Sequence, residues 1–115
     1  MPTVEELLAP IAASAQREIQ SRLGGFFGAM LRHYLPQVWV FRTERGTASI
    51  CVSADGTAVV APGAVAPTDV TVEVGHERLH AALTSRTRAE GPLTVTPHTA
   101  KGRAAFDYLR PRLGL

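Results

Sequence analysis

The stretch from Asp69 to Leu83 reads DVTVEVGHERLHAAL, and its pattern changes at Gly75. Before the glycine, valines alternate with polar residues, which is typical of a strand with one buried face. After it, Leu79 and Leu83 lie four residues apart, which indicates the apolar side of a short helix. The stretch therefore predicts a strand, a tight connection and a helix.

The N-terminal segment carries a helical pattern. A capping box that begins at Thr3 predicts where the first helix starts, and apolar residues follow it at helical spacing. Pro10 lies inside this pattern, so we expect either a kink or a short first turn followed by a longer helix. Glu18 and Arg22 are four residues apart on another side of the helix. A second short helix, rich in Phe and Met, is expected before the first strand.

From residue 37 onward the alternation predicts strands. The predicted strands are residues 37–43, 47–53, 57–61, 69–74 and 92–96. A final helix is expected to begin at His98 or Thr99. Because every strand alternates, one face of the sheet should be covered by helices and the other should face solvent. We therefore predict a two-layer α+β fold with about five strands in a largely antiparallel sheet.

Length and composition limit the classes of protein to consider. The chain of 115 residues is expected to form a single domain, 1–115, with a helical segment at 1–36 and an α+β core at 37–115. Its hydrophobic content is 45% and its charged content 19%, which indicates a folded chain. The formal charge of +2 comes from scattered basic residues, so no nucleic-acid partner is expected. The one cysteine, and the lack of a leader or an apolar run of about 20 residues, favour a cytoplasmic location.

The sequence HERLH, from His76 to His80, matches the zinc-protease pattern H-E-x-x-H. Histidines four apart on a helix can share a zinc ion, and a third ligand would come from His98 or Glu90. Against this reading, Arg78 places a positive charge beside the metal position, and the pattern opens a helix directly after a strand. We therefore interpret the match as a coincidence and expect no metal and no cofactor.

The arrangement resembles the sterol carrier protein type 2 (sterol-transfer) family, as a single-domain bacterial-type member, from residue 37 to the C-terminus. The resemblance lies in the Asp55–Gly56 turn, in the sequence PTDVTV at 67–72, and in GPLTV at 91–95 before an amphipathic helix. The chain departs from the family at 84–86, where a glycine is usual, and at 97–98, where Gly-Asp is common. The resemblance implies a sterol-carrier-like fold with an apolar cavity between helices and sheet.

Bulky apolar side chains supply candidate walls for such a cavity. The candidate ligand-binding residues are Phe26, Phe27, Met30, Leu31, Tyr34, Trp39, Leu79, Leu83, Phe106 and Leu109. Tyr34 or Trp39 would add a polar contact for the ligand. The alternative is that all of these side chains simply fill a core. Trp39 is expected either on the floor of the cavity or on the exposed face of the sheet as part of an interface.

Three hypotheses about function follow. The first is a carrier that binds an apolar, lipid-like molecule and has no catalytic residues. The second is a small cyclase or isomerase that uses the same cavity, with His76, His80 or His98 as acid or base. The third is a homodimeric structural module that buries the Phe/Met helix without a ligand. Lys101, Arg103, Arg110 and Arg112 could make weak contact with an anionic membrane, but an ordinary charged surface is the favoured interpretation.

Overall fold

The computed structural model describes residues 3–25, 28, 32–84 and 93–113, and for 82–84 and 112–113 the description covers the backbone. The described helices are α1 (Val4–Leu23), α2 (His76–Thr84) and α3 (Ala100–Leu109), with short 3₁₀ helices at Arg32–Tyr34 and Arg110–Leu113. The strands are β1 (Gln37–Thr43), β2 (Gly46–Val52), β3 (Ala58–Pro62), β4 (Val70–Val74) and β5 (Leu93–Pro97). None of the described helices is long and apolar enough to cross a membrane.

Helix α1 begins as the capping box predicts. Thr3 is the N-cap, and its hydroxyl accepts a hydrogen bond from the Glu6 amide at 3.1 Å. The helix continues through Pro10 as a single element, so the predicted short first turn is wrong. Pro10 is exposed, and the carbonyl of Glu6, four residues earlier, is also at an exposed position. Water can therefore satisfy the carbonyl that loses its helical donor.

The five strands form one open, mixed sheet in the order β3-β2-β1-β4-β5. Neighbouring strands run antiparallel except for β1 and β4, which pair in parallel with Trp39 opposite Val70. Because β3 and β4 are consecutive in the chain but not adjacent in the sheet, the segment between them must cross two strands. The predicted α+β class with a largely antiparallel sheet is confirmed.

The crossing segment covers the middle of the face that was expected to be open to solvent. Ser49 points to this face, where its hydroxyl donates to the Gly63 carbonyl at 2.7 Å and accepts from the Val65 amide at 3.1 Å. Ser49 and its cross-strand neighbour Val40 are both buried. The face without helices is therefore only partly exposed, because a loop replaces the missing layer.

On the other face, the helices and sheet enclose the hydrophobic core. Helix α1 packs along β2 and β3, and α3 lies against β1, β4 and β5. Trp39, Phe41 and Phe106 are the largest of the fully buried side chains. At the outer edge of β3, the Ala58 amide donates to Gln16 Oε1 of α1 at 3.0 Å. The helix therefore holds the edge strand by its backbone as well as by apolar packing.

Asp69 joins α3 to the sheet. Its carboxylate accepts from the Val38 amide at 2.9 Å and from the Thr99 hydroxyl at 2.8 Å. Thr99 is the N-cap of α3, so the predicted start of the last helix is confirmed. Lys101 Nζ lies 3.8 Å from the same carboxylate, and a Cβ atom on Gly102 would lie 2.6 Å from the Asp69 carbonyl oxygen. Helix and strand therefore meet at backbone contact.

Candidate ligand-binding cleft

A cleft of about 320 Å³ lies between α1, α3 and the segment that leads into β1. Its described lining is mostly apolar. The lining residues are Glu18, Ile19, Arg22, Tyr34, Leu35, Gln37, Trp39, Ala104, Ala105, Tyr108 and Leu109. Trp39, Gln37 and Leu109 are buried and form its floor, whereas Arg22 and Tyr108 are exposed at its rim.

The polar atoms of the floor are bonded to the protein itself. The Trp39 indole N–H donates to Gln37 Oε1 at 2.7 Å. The Gln37 amide nitrogen donates in turn to the Tyr34 carbonyl at 2.8 Å and to the Lys101 carbonyl at 2.9 Å. Phe106 holds the indole from behind in an edge-to-face contact, with ring centroids 5.9 Å apart. The floor therefore offers a rigid apolar surface and no free indole donor.

The rim of the cleft carries a group of three side chains from α1 and α3 that contact one another. Glu18 Oε1 accepts from the Tyr108 hydroxyl at 3.1 Å and lies 3.5 Å from Arg22 Nη2. The Arg22 guanidinium lies 5.6 Å from the centroid of the Tyr108 ring. Glu18 and Arg22, four residues apart on one helix, therefore form a pair, and Tyr108 extends it across the cleft.

The cleft brings together some of the residues predicted to bind ligand. Tyr34, Trp39 and Leu109 line it. The Trp39 N–H, which was expected as one possible polar contact for a ligand, donates to Gln37 Oε1. Leu79 and Phe106 are buried in the hydrophobic core and are not among the cleft-lining residues. Five candidates are not tested: Phe26, Phe27, Met30 and Leu31 lie outside the described residues, and Leu83 belongs to α2 but its side chain lies outside the described ones.

Several lining residues were not predicted. Ala104 and Ala105 make room for the cleft on α3, and Ile19 and Leu35 add apolar surface. The sequence contains part of this information for α3, since Ala105 and Leu109 are four residues apart and therefore lie on one side of the helix. Small side chains next to an aromatic floor leave an open cleft. An apolar pattern in the sequence does not show whether such side chains border a cleft or belong to a packed core.

The histidines considered as acid or base groups lie away from the cleft. His76 is buried at the start of α2, His80 is exposed, and His98 Nε2 lies 2.8 Å from the Thr71 hydroxyl. None of them lines the cleft. No group of three or more potential metal ligands occurs among the described residues, and Glu90, one of the two third ligands considered for the HERLH match, lies outside them.

His76 is unusual because its main chain and its ring differ in hydrogen bonding. Its amide donates to both carboxylate oxygens of Glu44 at 3.1 Å, whereas neither ring nitrogen has a partner among the described residues. Backbone hydrogen bonds, from the Glu44 amide first and then from the His76 amide, hold the pKa of Glu44 below its ordinary value. His76 borders a mixed polar hollow of about 300 Å³ that includes Thr3, Glu5, Arg45 and Thr47.

Comparison with known proteins gave a match in structure only. No protein-family model matches the chain, and no curated protein matches its sequence. Among solved structures, it is similar to Sterol Carrier Protein 2 from Yarrowia lipolytica in its apo form. The match has 15% identity and a TM-score of 0.47, and it covers 87% of this chain and 84% of that one. A similarity of this degree carries no functional conclusion, so the proposal below rests on the cleft.

Proposed function

We propose that this protein binds an apolar, lipid-like small molecule in the cleft above Trp39 and carries it in the cytoplasm. One observation supports the proposal most strongly: the cleft is lined mainly by apolar groups, and the hydrogen-bonding atoms of its floor are already paired. Its volume of about 320 Å³ falls within the range of small-molecule sites.

Affinity in such a site would come mainly from apolar surface removed from water. Each methylene group that a ligand buries contributes about 0.8 kcal/mol before the cost of immobilising the ligand. Since the indole of Trp39 is held by Gln37 and Phe106, the protein would lose little conformational freedom at the floor when a ligand binds. The rigid floor therefore favours binding by shape and area.

Catalysis has no comparable observation in its favour. An acid–base mechanism needs a titratable group within hydrogen-bonding reach of the substrate. His76, His80 and His98 do not line the cleft, and the Glu18 carboxylate at the rim is bonded to Tyr108 and Arg22. Binding without chemistry is thus the function that the cleft supports best.

The test uses Trp39, which is the only tryptophan in the chain. Decanol, a neutral apolar probe, should change the tryptophan emission of the delipidated protein in a saturable way. Ala105→Phe places a ring in the cleft and should abolish this change while far-UV circular dichroism stays the same.

The matched control is Ala100→Phe, which adds the same ring to an exposed position of α3 outside the cleft. It should bind decanol as the wild type does. A wild type whose emission does not respond to decanol, or an Ala105→Phe variant that responds fully, would contradict the proposal.

A further inference from the structure

The charges at the rim of the cleft bear on which apolar molecules it accepts, if the proposed function holds. Glu18 and Arg22 are the only charged residues among the described residues that line the cleft. The Arg22 side chain is 57% exposed and the Glu18 side chain 28% exposed, so the carboxylate lies deeper. A ligand seated in the cleft would therefore lie closer to the negative charge than to the positive one.

Glu18 also holds the hydrogen-bond donors of the rim. The Tyr108 hydroxyl and Arg22 Nη2 both approach the same oxygen, Oε1. A ligand carboxylate would have to take these donors away from Glu18 and then lie beside its negative charge. An uncharged ligand can occupy the cleft and leave all three side chains as they are.

The floor cannot compensate an anionic ligand for that repulsion. The Trp39 N–H and the Gln37 side-chain amide are already bonded within the protein. A charged group placed against such a surface loses its water without gaining a partner, which is costly. The Tyr34 hydroxyl is the remaining polar side-chain group in the described lining, and it suits one neutral hydroxyl or carbonyl.

We infer that Glu18 is a specificity-determining residue, which makes the cleft select uncharged apolar molecules over anionic ones of the same chain length. The chemical class that fits is a hydrocarbon or isoprenoid-like molecule with at most one neutral polar group. Arg22 and Tyr108 act in this selection through Glu18, because they hold its carboxylate at the rim.

The experiment compares decanol with decanoate, which is ionised at neutral pH, by titration of Trp39 emission. The quantity measured is the ratio of the two dissociation constants, since decanol is also the more hydrophobic probe. Glu18→Gln should reduce the preference for decanol by about threefold or more, because Arg22 is then available to the carboxylate. Arg22→Gln should increase the preference, because it removes a positive charge that lies 3.5 Å from the Glu18 carboxylate.

The control is Glu6→Gln, which removes the same charge from an exposed position about 18 Å away along α1. Salt screens charges beyond about 10 Å, so this variant should keep the wild-type ratio. If Glu18→Gln keeps that ratio too, while both probes still bind and Ala105→Phe still blocks them, the inference about Glu18 is overturned and the proposed function stands. If neither probe changes Trp39 emission in the wild type, both are overturned.

Discussion

His76 is a polar residue in the interior of this protein, and the hydrogen bonds of its ring are not satisfied by the described residues. The residue is only 1% exposed, and neither ring nitrogen has a hydrogen-bond partner in the described part of the chain. A buried polar group without a partner costs about 1–3 kcal/mol of stability. The main-chain bond from His76 to Glu44 fixes the start of α2 and does not relieve the ring.

We expect His76→Met to stabilise the protein, because an apolar side chain of comparable length removes the unsatisfied nitrogens and keeps the packing. The free energy of unfolding in urea should rise by about 1 kcal/mol. His33→Met, at an exposed position, should change it by less than about 0.5 kcal/mol. A His76→Met variant that is less stable than the wild type would mean that the ring has a partner in solution, in the hollow that it borders.

The contact between α3 and β4 sets the position of one wall of the cleft, and it depends on a glycine. A Cβ atom on Gly102 would lie 2.6 Å from the carbonyl oxygen of Asp69. That oxygen already accepts the His98 amide at 2.7 Å, so it has little freedom to move. Any larger residue must therefore push the helix away from the strand.

Gly102→Ala is accordingly expected to lower the free energy of unfolding by about 1–3 kcal/mol, even though alanine favours helix formation. Gly24→Ala is the matched control. Apart from its chain neighbours and the backbone of its own helix, no atom of the described residues lies within 4 Å of a Cβ atom there. The φ angle of −79° suits alanine, so stability should be unchanged or slightly higher. Equal stability of the two variants in urea would argue against the close approach at Asp69.

The elements were predictable because the chain changes period at glycine and proline residues, and turn signals such as Asp55–Gly56 mark the ends of the strands. The packing of these elements against one another was less predictable. Alternation says which side chains are buried, but it does not say that β1 pairs with β4 in parallel, nor that the crossing segment covers Ser49. The lining of the cleft was also only partly predictable. Trp39 was predicted from its size. Ala104 was not, because a small side chain borders a cleft only where its neighbours leave space beside it.

For the whole molecule, a ligand that occupies the cleft should stabilise the fold, since it binds the folded chain and not the unfolded one. At a free concentration of 100 times the dissociation constant, the gain is about 2.7 kcal/mol. We therefore expect decanol to raise the melting temperature of the wild type and to leave that of Ala105→Phe unchanged in differential scanning calorimetry.

The same experiment addresses the homodimer hypothesis. The melting temperature of a protein stabilised by self-association rises with protein concentration, whereas that of a monomeric carrier does not. We expect no dependence on protein concentration over a hundredfold dilution. A clear dependence, together with no effect of decanol, would favour the dimeric structural module over the carrier.

The bond from the Ala58 amide to Gln16 has a consequence for self-association. An edge strand normally presents unpaired amides that can recruit a strand from another molecule, which is a common beginning of aggregation. Here a side chain of α1 occupies one of those amides on β3, and the helix packs along the strand. Helix α1 thus protects that edge of the sheet, and a second copy would have to displace Gln16 before it could extend the sheet there.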